Sequence, residues 1–294
     1  MSTTTTRRAA VLGHPVAHSL SPVLHGAAYR ALGLDGWQYG VHDVTEGALE
    51  GFLRDVDAGW AGLSLTMPLK QVVIPLLDHV DPLAEAVGAV NTVLFSAAGG
   101  SAAGGAVTTT GTNTDVHGIV AALREGLGAR GVADAVILGG GATAASALAA
   151  VAELGCVSPR VFVRSLERIG PLRAAVARMG VNPSFEVFDE RATTSALAVA
   201  DAVVSTTPKY AADHWAPLLT GLLTGAGEKP RGVLLDVVYD PRPTALQSAW
   251  AALGADTVGG ERMLLHQAAE QVRLMTGRPA PLAAMDDALR AALG

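Results

Sequence analysis

The chain has 294 residues, half of them hydrophobic but only 4% aromatic, and a formal charge of −6. That length suits two domains whose cores are built from alanine, valine and leucine. The acidic balance without a basic run argues against a nucleic-acid partner, the single cysteine, Cys156, allows no internal disulfide and suits a reducing cytosol, and no apolar run approaches the ~18 residues of a membrane helix.

Residues 1–8 read as a disordered leader. Arg7-Arg8 precedes an apolar stretch too short for a signal-peptide core, so a soluble cytoplasmic protein is expected. Residues 9–12 read as a buried strand that meets a turn at Gly13-His14-Pro15. A helix follows through 26–32, with Ser21 as its N-cap and Pro22 in its first turn. Residues 37–41 make a second strand, and Thr45 is placed to cap a helix over 46–57. A short strand, 61–66, ends at Met67-Pro68, where Leu69-Lys70-Gln71 opens a helical segment. A short helix over 81–87 leads to a strand over 89–95 that carries Asn91 and Thr92 in its middle. Residues 96–105 are rich in glycine, alanine and serine and read as a flexible hairpin or loop, with 107–110 returning from it. G-T-N-T-D at 111–115 then opens a long helix over 116–127.

Residues 136–148, V-I-L-G-G-G-A-T-A-A-S-A-L, give strand, tight turn and helix in that order. Gly139, Gly141 and Ala144 fit G-x-G-x-x-G/A, the dinucleotide-binding fingerprint. The first glycine permits the turn, the second lets backbone N–H groups approach a pyrophosphate, and the third small residue lets helix pack close to strand. Gly140, Ala142 and Thr143 complete the loop at the helix N-terminus, whose partial positive charge faces the anion. Further strands at 160–163, 202–205 and 232–236, and a less regular one at 181–187, keep a β-α-β rhythm. That rhythm argues for a parallel sheet covered by helices. From Gly259-Gly260 the pattern is helical to the end. The half of the chain before the fingerprint carries its own strands and helices, so it reads as a separate α/β domain, with ligand in the cleft between the two.

A domain that grips a dinucleotide does not move protons, and interconverting carbonyl and alcohol by hydride needs an acid or base at the oxygen. Lys70, just past a strand, is a candidate; the alternative is a solvated helix lysine. Asp115, at a helix start, is another; its alternative is capping or stabilising the helix dipole. Asn91-Thr92 place two polar side chains in an apolar strand, and both need partners, in a bulge or in a site.

Six motifs in order resemble those of the shikimate dehydrogenase family, across nearly the whole chain. Residues 13–25 look like G-x-P-x-x-H-S-x-S-P-x-x-H, and 64–70 look like N-V-T-x-P-x-K. Residues 88–92 match G-A-x-N-T, 111–115 match G-x-N-T-D, 236–244 match D-x-x-Y-x-P-x-x-T, and 260–267 match G-x-x-M-L-x-x-Q. The resemblance implies two α/β domains. A substrate-binding catalytic domain over 1–114 is completed by C-terminal helices within 260–294, and a Rossmann-type domain spans 115–259. It implies that Ser19 and Ser21 bind a substrate carboxylate, and that Thr66, Asn91 and Gln267 bind ring hydroxyls and neighbouring groups. Tyr239 would close the site, and Lys70 and Asp115 would form the catalytic pair, with Asp115 also holding a substrate hydroxyl. Ser64 and Gly26 stand where the family often has asparagine, so the Ser64 contact is lost or made by a hydroxyl.

An NAD site usually carries an acidic residue ~20 positions past the glycines. Here the second strand ends in Arg164-Ser165, with Arg168 close behind, and arginine there can pair with a 2′-phosphate. The expected cofactor is therefore NADP, with NAD as the alternative in which both arginines are surface charges. Thr206 lies at a later strand end, where such folds place the nicotinamide half, and Val237 and Gly260, inside the late motifs, join the cofactor set. The expected reaction is reversible NADPH-dependent reduction of 3-dehydroshikimate to shikimate. The resemblance links serine at position 21 with shikimate rather than quinate. An NAD-dependent quinate/shikimate dehydrogenase and a non-catalytic nicotinamide-binding regulator are the rivals. No metal, nucleic acid or membrane partner is expected, and the chain is expected to be a monomer or homodimer.

Overall fold

The computed structural model describes residues 6–97 and 107–294. The chain divides into two compact units, Met1–Thr114 with Leu265–Gly294, and Asp115–Leu264.

The first unit runs β1 (Arg7–Gly13), α1 (Ser21–Ala31), β2 (Trp37–Asp43), α2 (Glu46–Arg54), β3 (Trp60–Leu65), α3 (Leu69–Val72), β4 (His79–Val80), α4 (Pro82–Val87), β5 (Thr92–Ala97) and β6 (Val107–Thr112). Its six strands are ordered β2-β1-β3-β5-β6-β4. The β1 pairs are parallel, whereas β5 runs antiparallel to β3 and β6, so the sheet is mixed. Alternation divides the two faces. Ala10 and Leu12 of β1, with Val93 and Phe95 of β5, enter one core cluster, and Ala9 packs with Met275 and Leu94 on the other side.

The second unit runs α5 (Asp115–Leu127), β7 (Ala135–Leu138), α6 (Ala142–Glu153), β8 (Arg160–Val163), α7 (Gly170–Met179), β9 (Ser184–Val187), α8 (Glu190–Val199), β10 (Ala202–Ser205), α9 (Trp215–Thr224), β11 (Val233–Asp236), α10 (Ala245–Ala252) and β12 (Thr257–Gly259). The sheet order is β12-β11-β10-β7-β8-β9, with every pairing parallel. Every residue of β7, β10 and β11 is buried, as expected of strands covered on both faces. From β7 outward, that order is the doubly wound arrangement, with its switch point between β7 and β10. α11 (Gly260–Thr276) carries the chain into the first unit, and α12 (Leu282–Leu293) packs there on α1.

The structure differs from the sequence reading in several places. Arg7 and Arg8 belong to β1, not to a leader: Arg7 pairs with Trp37, and Arg8 sits over Trp60 while bonding Asp57. The expected leader otherwise lies outside the described residues, as does most of the loop expected over 96–105; Ser96 and Ala97 extend β5. Ser21 is not an N-cap. α1 begins at Ser21, and the Ser19 hydroxyl oxygen accepts the Ser21 N–H instead. Thr45 occupies the N-cap position of α2 without a side-chain bond, and α2 stops at Arg54, because Asp57 is turned to Arg8 and the Gly59 N–H. The C-terminal helical pattern breaks after Thr276, where Gly277 takes φ +70° and Pro279 and Pro281 follow. Asn91 precedes β5 rather than interrupting it.

Candidate active site

The motifs of the first unit are tied together by buried amides. Asn113, 3% exposed, donates from Nδ2 to the Ala89 carbonyl at 2.8 Å. Asn91, 2% exposed, accepts the Thr114 N–H on Oδ1 at 2.8 Å and donates from Nδ2 to the Thr114 hydroxyl at 3.0 Å. The same Nδ2 reaches Gln267 Oε1 at 3.4 Å, and the Thr92 hydroxyl donates to Asn91 Oδ1 at 2.9 Å. G-A-x-N-T, G-x-N-T-D and the late glutamine thus form one polar cluster. Two glycines let it close: a Cβ on Gly111 would collide with Leu77 and Val90, and one on Gly13 would collide with Thr66.

Lys70, half-buried at the start of α3, gives its carbonyl to the Val90 N–H at 2.8 Å, one residue before Asn91. Asp115, 4% exposed, follows Thr114 and opens α5. Each proposed catalytic residue is therefore held by backbone next to the Asn91 clasp. Thr66 closes β3 with its N–H on the Leu12 carbonyl, at the Gly13 turn that leads to Ser19 and Ser21.

A second set of groups is joined only by the fold: Ser64 and His25 lie in sequence motifs, but nothing in the sequence pairs them with Tyr39 or Gln271. Gln271, 1% exposed on α11, donates from Nε2 to the Thr92 hydroxyl at 2.8 Å and to the Asn91 carbonyl at 3.3 Å. Its Oε1 accepts from the Ser64 hydroxyl at 2.7 Å, and Ser64 in turn accepts from Tyr39 at 2.6 Å. The Ser64 hydroxyl is thus committed inside the protein rather than standing in for asparagine. His25 reaches the same Oε1 at 3.3 Å and Tyr29 at 3.4 Å, and stacks on Tyr39 with centroids 4.0 Å apart. Burial lowers the His25 pKa to about 3, opposed by the Gln271 hydrogen bond. The imidazole is therefore neutral. A carbonyl oxygen can only accept, so Nε2 carries the proton. Burial likewise pushes the Tyr39 hydroxyl upward, eased by its hydrogen bonds with Ser64 and Ser21. For Gln271 the available signal was its spacing from Gln267, which puts both on one face of a helix.

In the second unit, the glycine turn separates protein requirements from ligand requirements. Gly139 has φ +114°, and a Cβ there would meet the Thr206 hydroxyl at 2.5 Å. Thr206 gives both its N–H and its hydroxyl to the Leu138 carbonyl at 2.8 Å, pinning β10 beside the turn. A Cβ on Gly140 would strike Ile169 and Val163. Gly141 is different: its φ is −90°, and nothing lies within 4 Å of a Cβ built there. The protein itself does not demand glycine at 141, whereas a closely approaching phosphate would. Gly141 is the N-cap of α6 with no side-chain cap and no acid in the first turn, so the Ala142 and Thr143 N–H groups have no intrahelical acceptor. Ala144 is fully buried, which allows the close helix packing. These residues fit a pyrophosphate.

Arg164 and Arg168 are exposed just past β8, and the Val163 side chain beside Arg164 abuts Gly140. The Ser165 oxygen accepts the Glu167 N–H at 3.2 Å, opening a short turn that carries Arg168. Val237 and Gly260 meet: a Cβ on Gly260 would run into the Val237 carbonyl. Tyr239 is half-buried in a loop whose ends are joined by the Thr244 hydroxyl donating to buried Asp236 at 2.9 Å. Burial raises the Asp236 pKa, opposed by that bond, and burial also raises Tyr239. Among the described residues, no group of three His, Cys, Asp or Glu side chains could hold a metal ion, and no helix is long and apolar enough to cross a membrane.

Comparison with known proteins follows the same division. Residues 11–93 match the family described as shikimate dehydrogenase substrate binding domain, and residues 260–290 match the shikimate 5'-dehydrogenase C-terminal domain. The NADP(+) shikimate dehydrogenase of Thermosynechococcus vestitus is 35% identical over 97% of this chain and 95% of its own. The crystal structure of Mycobacterium tuberculosis shikimate dehydrogenase superposes with TM-score 0.82 at 37% identity, covering 97% of this chain and 99% of that one. The shikimate 5-dehydrogenase of Thermus thermophilus, solved with NADP(H) and shikimate, gives TM-score 0.77 at 31% identity over 98% and 100% of the two chains.

Proposed function

This chain belongs to the shikimate dehydrogenase family, and from that premise we infer that it catalyses the reversible NADPH-dependent reduction of 3-dehydroshikimate to shikimate, a step of aromatic amino-acid biosynthesis. The observation that carries the reading is the Asn91 clasp. One buried carboxamide joins three of the family's motifs and stands, through Val90 and Thr114, beside both Lys70 and Asp115.

In this reading Ser19 and Ser21 take the substrate carboxylate, and Thr66, Asn91 and Gln267 take the ring hydroxyls. Lys70 delivers a proton to the carbonyl oxygen during reduction and takes it back in the reverse direction. Asp115 orients the ammonium and accepts from a substrate hydroxyl. Tyr239 closes over the ring. Gly139, Gly140, Gly141, Ala142 and Thr143 hold the pyrophosphate, Arg164, Ser165 and Arg168 the 2′-phosphate, and Thr206, Val237 and Gly260 the nicotinamide half. The nicotinamide, when bound, supplies the hydride. Residues 1–114 with 260–294 serve as the substrate domain and 115–259 as the dinucleotide domain. The same reading suits a cytoplasmic enzyme, monomeric or homodimeric.

The test is an absorbance assay of reduced nicotinamide that crosses shikimate and quinate with NADP and NAD. The highest kcat/KM is expected for shikimate with NADP. A preference for quinate with NAD overturns the substrate assignment, and no turnover with any pair leaves a non-catalytic nicotinamide binder.

A further inference from the structure

We infer that Gln271 is a positioning residue for substrate: its buried amide fixes the direction of the hydrogen-bond chain that ends on Asn91 and Gln267. The inference rests on the reading above, in which Asn91 and Gln267 touch the substrate.

The chain has one consistent polarity. Tyr39 donates to Ser64, and Ser64 donates to Gln271 Oε1, where the His25 Nε2–H converges. With Oε1 so occupied by donors, the Gln271 Nε2 is turned to the Asn91 carbonyl and the Thr92 hydroxyl oxygen. Thr92 must then give its own proton to Asn91 Oδ1, which also accepts the Thr114 N–H. With Oδ1 defined, Asn91 Nδ2 faces Thr114 and Gln267 Oε1. That in turn sets Gln267 Nε2 on the other side of its amide. A buried carboxamide that loses such partners can rotate by half a turn and exchange donor for acceptor. Gln271 also lies one helical turn beyond Gln267 on α11, with Met275 one turn further and packed on Ala9 and Ala61. The same stripe that seats the helix therefore orients the amide ahead of it.

The experiment compares Gln271→Met, which keeps length without hydrogen bonds, and Gln271→Glu, which keeps shape but cannot donate when ionised. Both are assayed for shikimate and NADP kinetics and for NADPH binding by fluorescence. Each is expected to raise the KM for shikimate by about tenfold or more, with the KM for NADP and the NADPH affinity within about twofold of wild type. Thr92→Val should reproduce the Gln271→Met defect, Thr92→Ser should restore normal KM, and Gln271→Met with Thr92→Val should be no worse than either alone. Folded Gln271 variants with wild-type shikimate KM overturn the inference, as does full additivity with Thr92→Val. If the Gln271 variants do not fold, the Thr92 pair decides: a Val variant with normal shikimate KM overturns it. Wild-type protein without shikimate turnover would instead remove the functional reading beneath it.

Discussion

Asn91 and Thr114 are joined through both polar atoms of the side-chain amide: the Thr114 N–H donates to Oδ1 at 2.8 Å, Nδ2 donates to the Thr114 hydroxyl at 3.0 Å, and that hydroxyl donates to Oδ1 at 3.2 Å. The pair fixes the peptide immediately before Asp115, from a residue adjacent to the one that anchors the Lys70 carbonyl. Two residues far apart in sequence are thereby held by adjacent residues, Lys70 through the Val90 N–H and the peptide before Asp115 through the Asn91 side chain.

Replacing that side chain should be costly. Asn91→Ala leaves the buried Thr114 N–H without its acceptor, and the expected loss is about 2–3 kcal/mol. Urea unfolding measures it. A variant within about 0.5 kcal/mol of wild type would mean that the clasp is only incidental.

Lys70→Ala tests the proposed proton donor. Turnover of shikimate should fall by at least about a hundredfold, as for loss of a general acid or base. NADPH binding, followed by fluorescence, should stay unchanged. Near-wild-type rates would reassign the proton transfer to another group.

Arg164→Ala tests nucleotide choice. Loss of a charge-assisted bond to a 2′-phosphate should raise the KM for NADPH about tenfold and leave that for NADH nearly unchanged. Equal effects on both cofactors would make Arg164 a surface charge.

Two nearby glycine substitutions should behave differently. Gly139→Ala forces an L side chain into φ +114° against Thr206, so stability should fall by about 1–3 kcal/mol. Gly141→Ala meets no protein atom, so its stability should stay within about 0.5 kcal/mol while NADPH affinity drops. Thermal melts with and without NADPH separate the two cases. Unimpaired NADPH binding by Gly141→Ala would remove the pyrophosphate from that glycine.

His25 sets a pH dependence. Its folded pKa, about 3, lies below the ordinary 6.5, so the unfolded chain binds the extra proton first. The associated stability is fully present above about pH 6.5 and is lost as pH falls toward 3, at up to about 1.4 kcal/mol per pH unit. Urea midpoints across that range should slope less steeply in His25→Gln. Parallel slopes would show that the imidazole does not stay neutral in the folded protein.

Local patterns made much of this legible. The apolar run into Gly139-Gly140-Gly141 specified strand, turn and helix, because each step depends on residues within a few positions. The serines, Lys70, Asn91, Asp115 and Gln267 could be named as candidates because their motifs are contiguous. Where the sequence reading erred, the hydrogen-bond partner actually taken had decided, whether near or far along the chain. Ser21 is a plausible cap by type, yet the Ser19 hydroxyl accepts its N–H. Asp57 is a plausible helix residue, yet Arg8 and Gly59 claim its carboxylate.

By itself, then, the amino-acid sequence determined the alternation of elements, the glycine turn and the identity of the motif-bearing side chains, since these follow from periodicity and short-range backbone limits. Only the tertiary structure decided how the motifs are held together. Gln271 and Tyr39 carry no local signature, His25 closes a motif that says nothing of its partners, and Ser64 stands where asparagine is expected while its hydroxyl is used by Tyr39 and Gln271. The reason is physical: a buried polar group must be paired, but its partner can lie 207 residues away, as Gln271 does from Ser64.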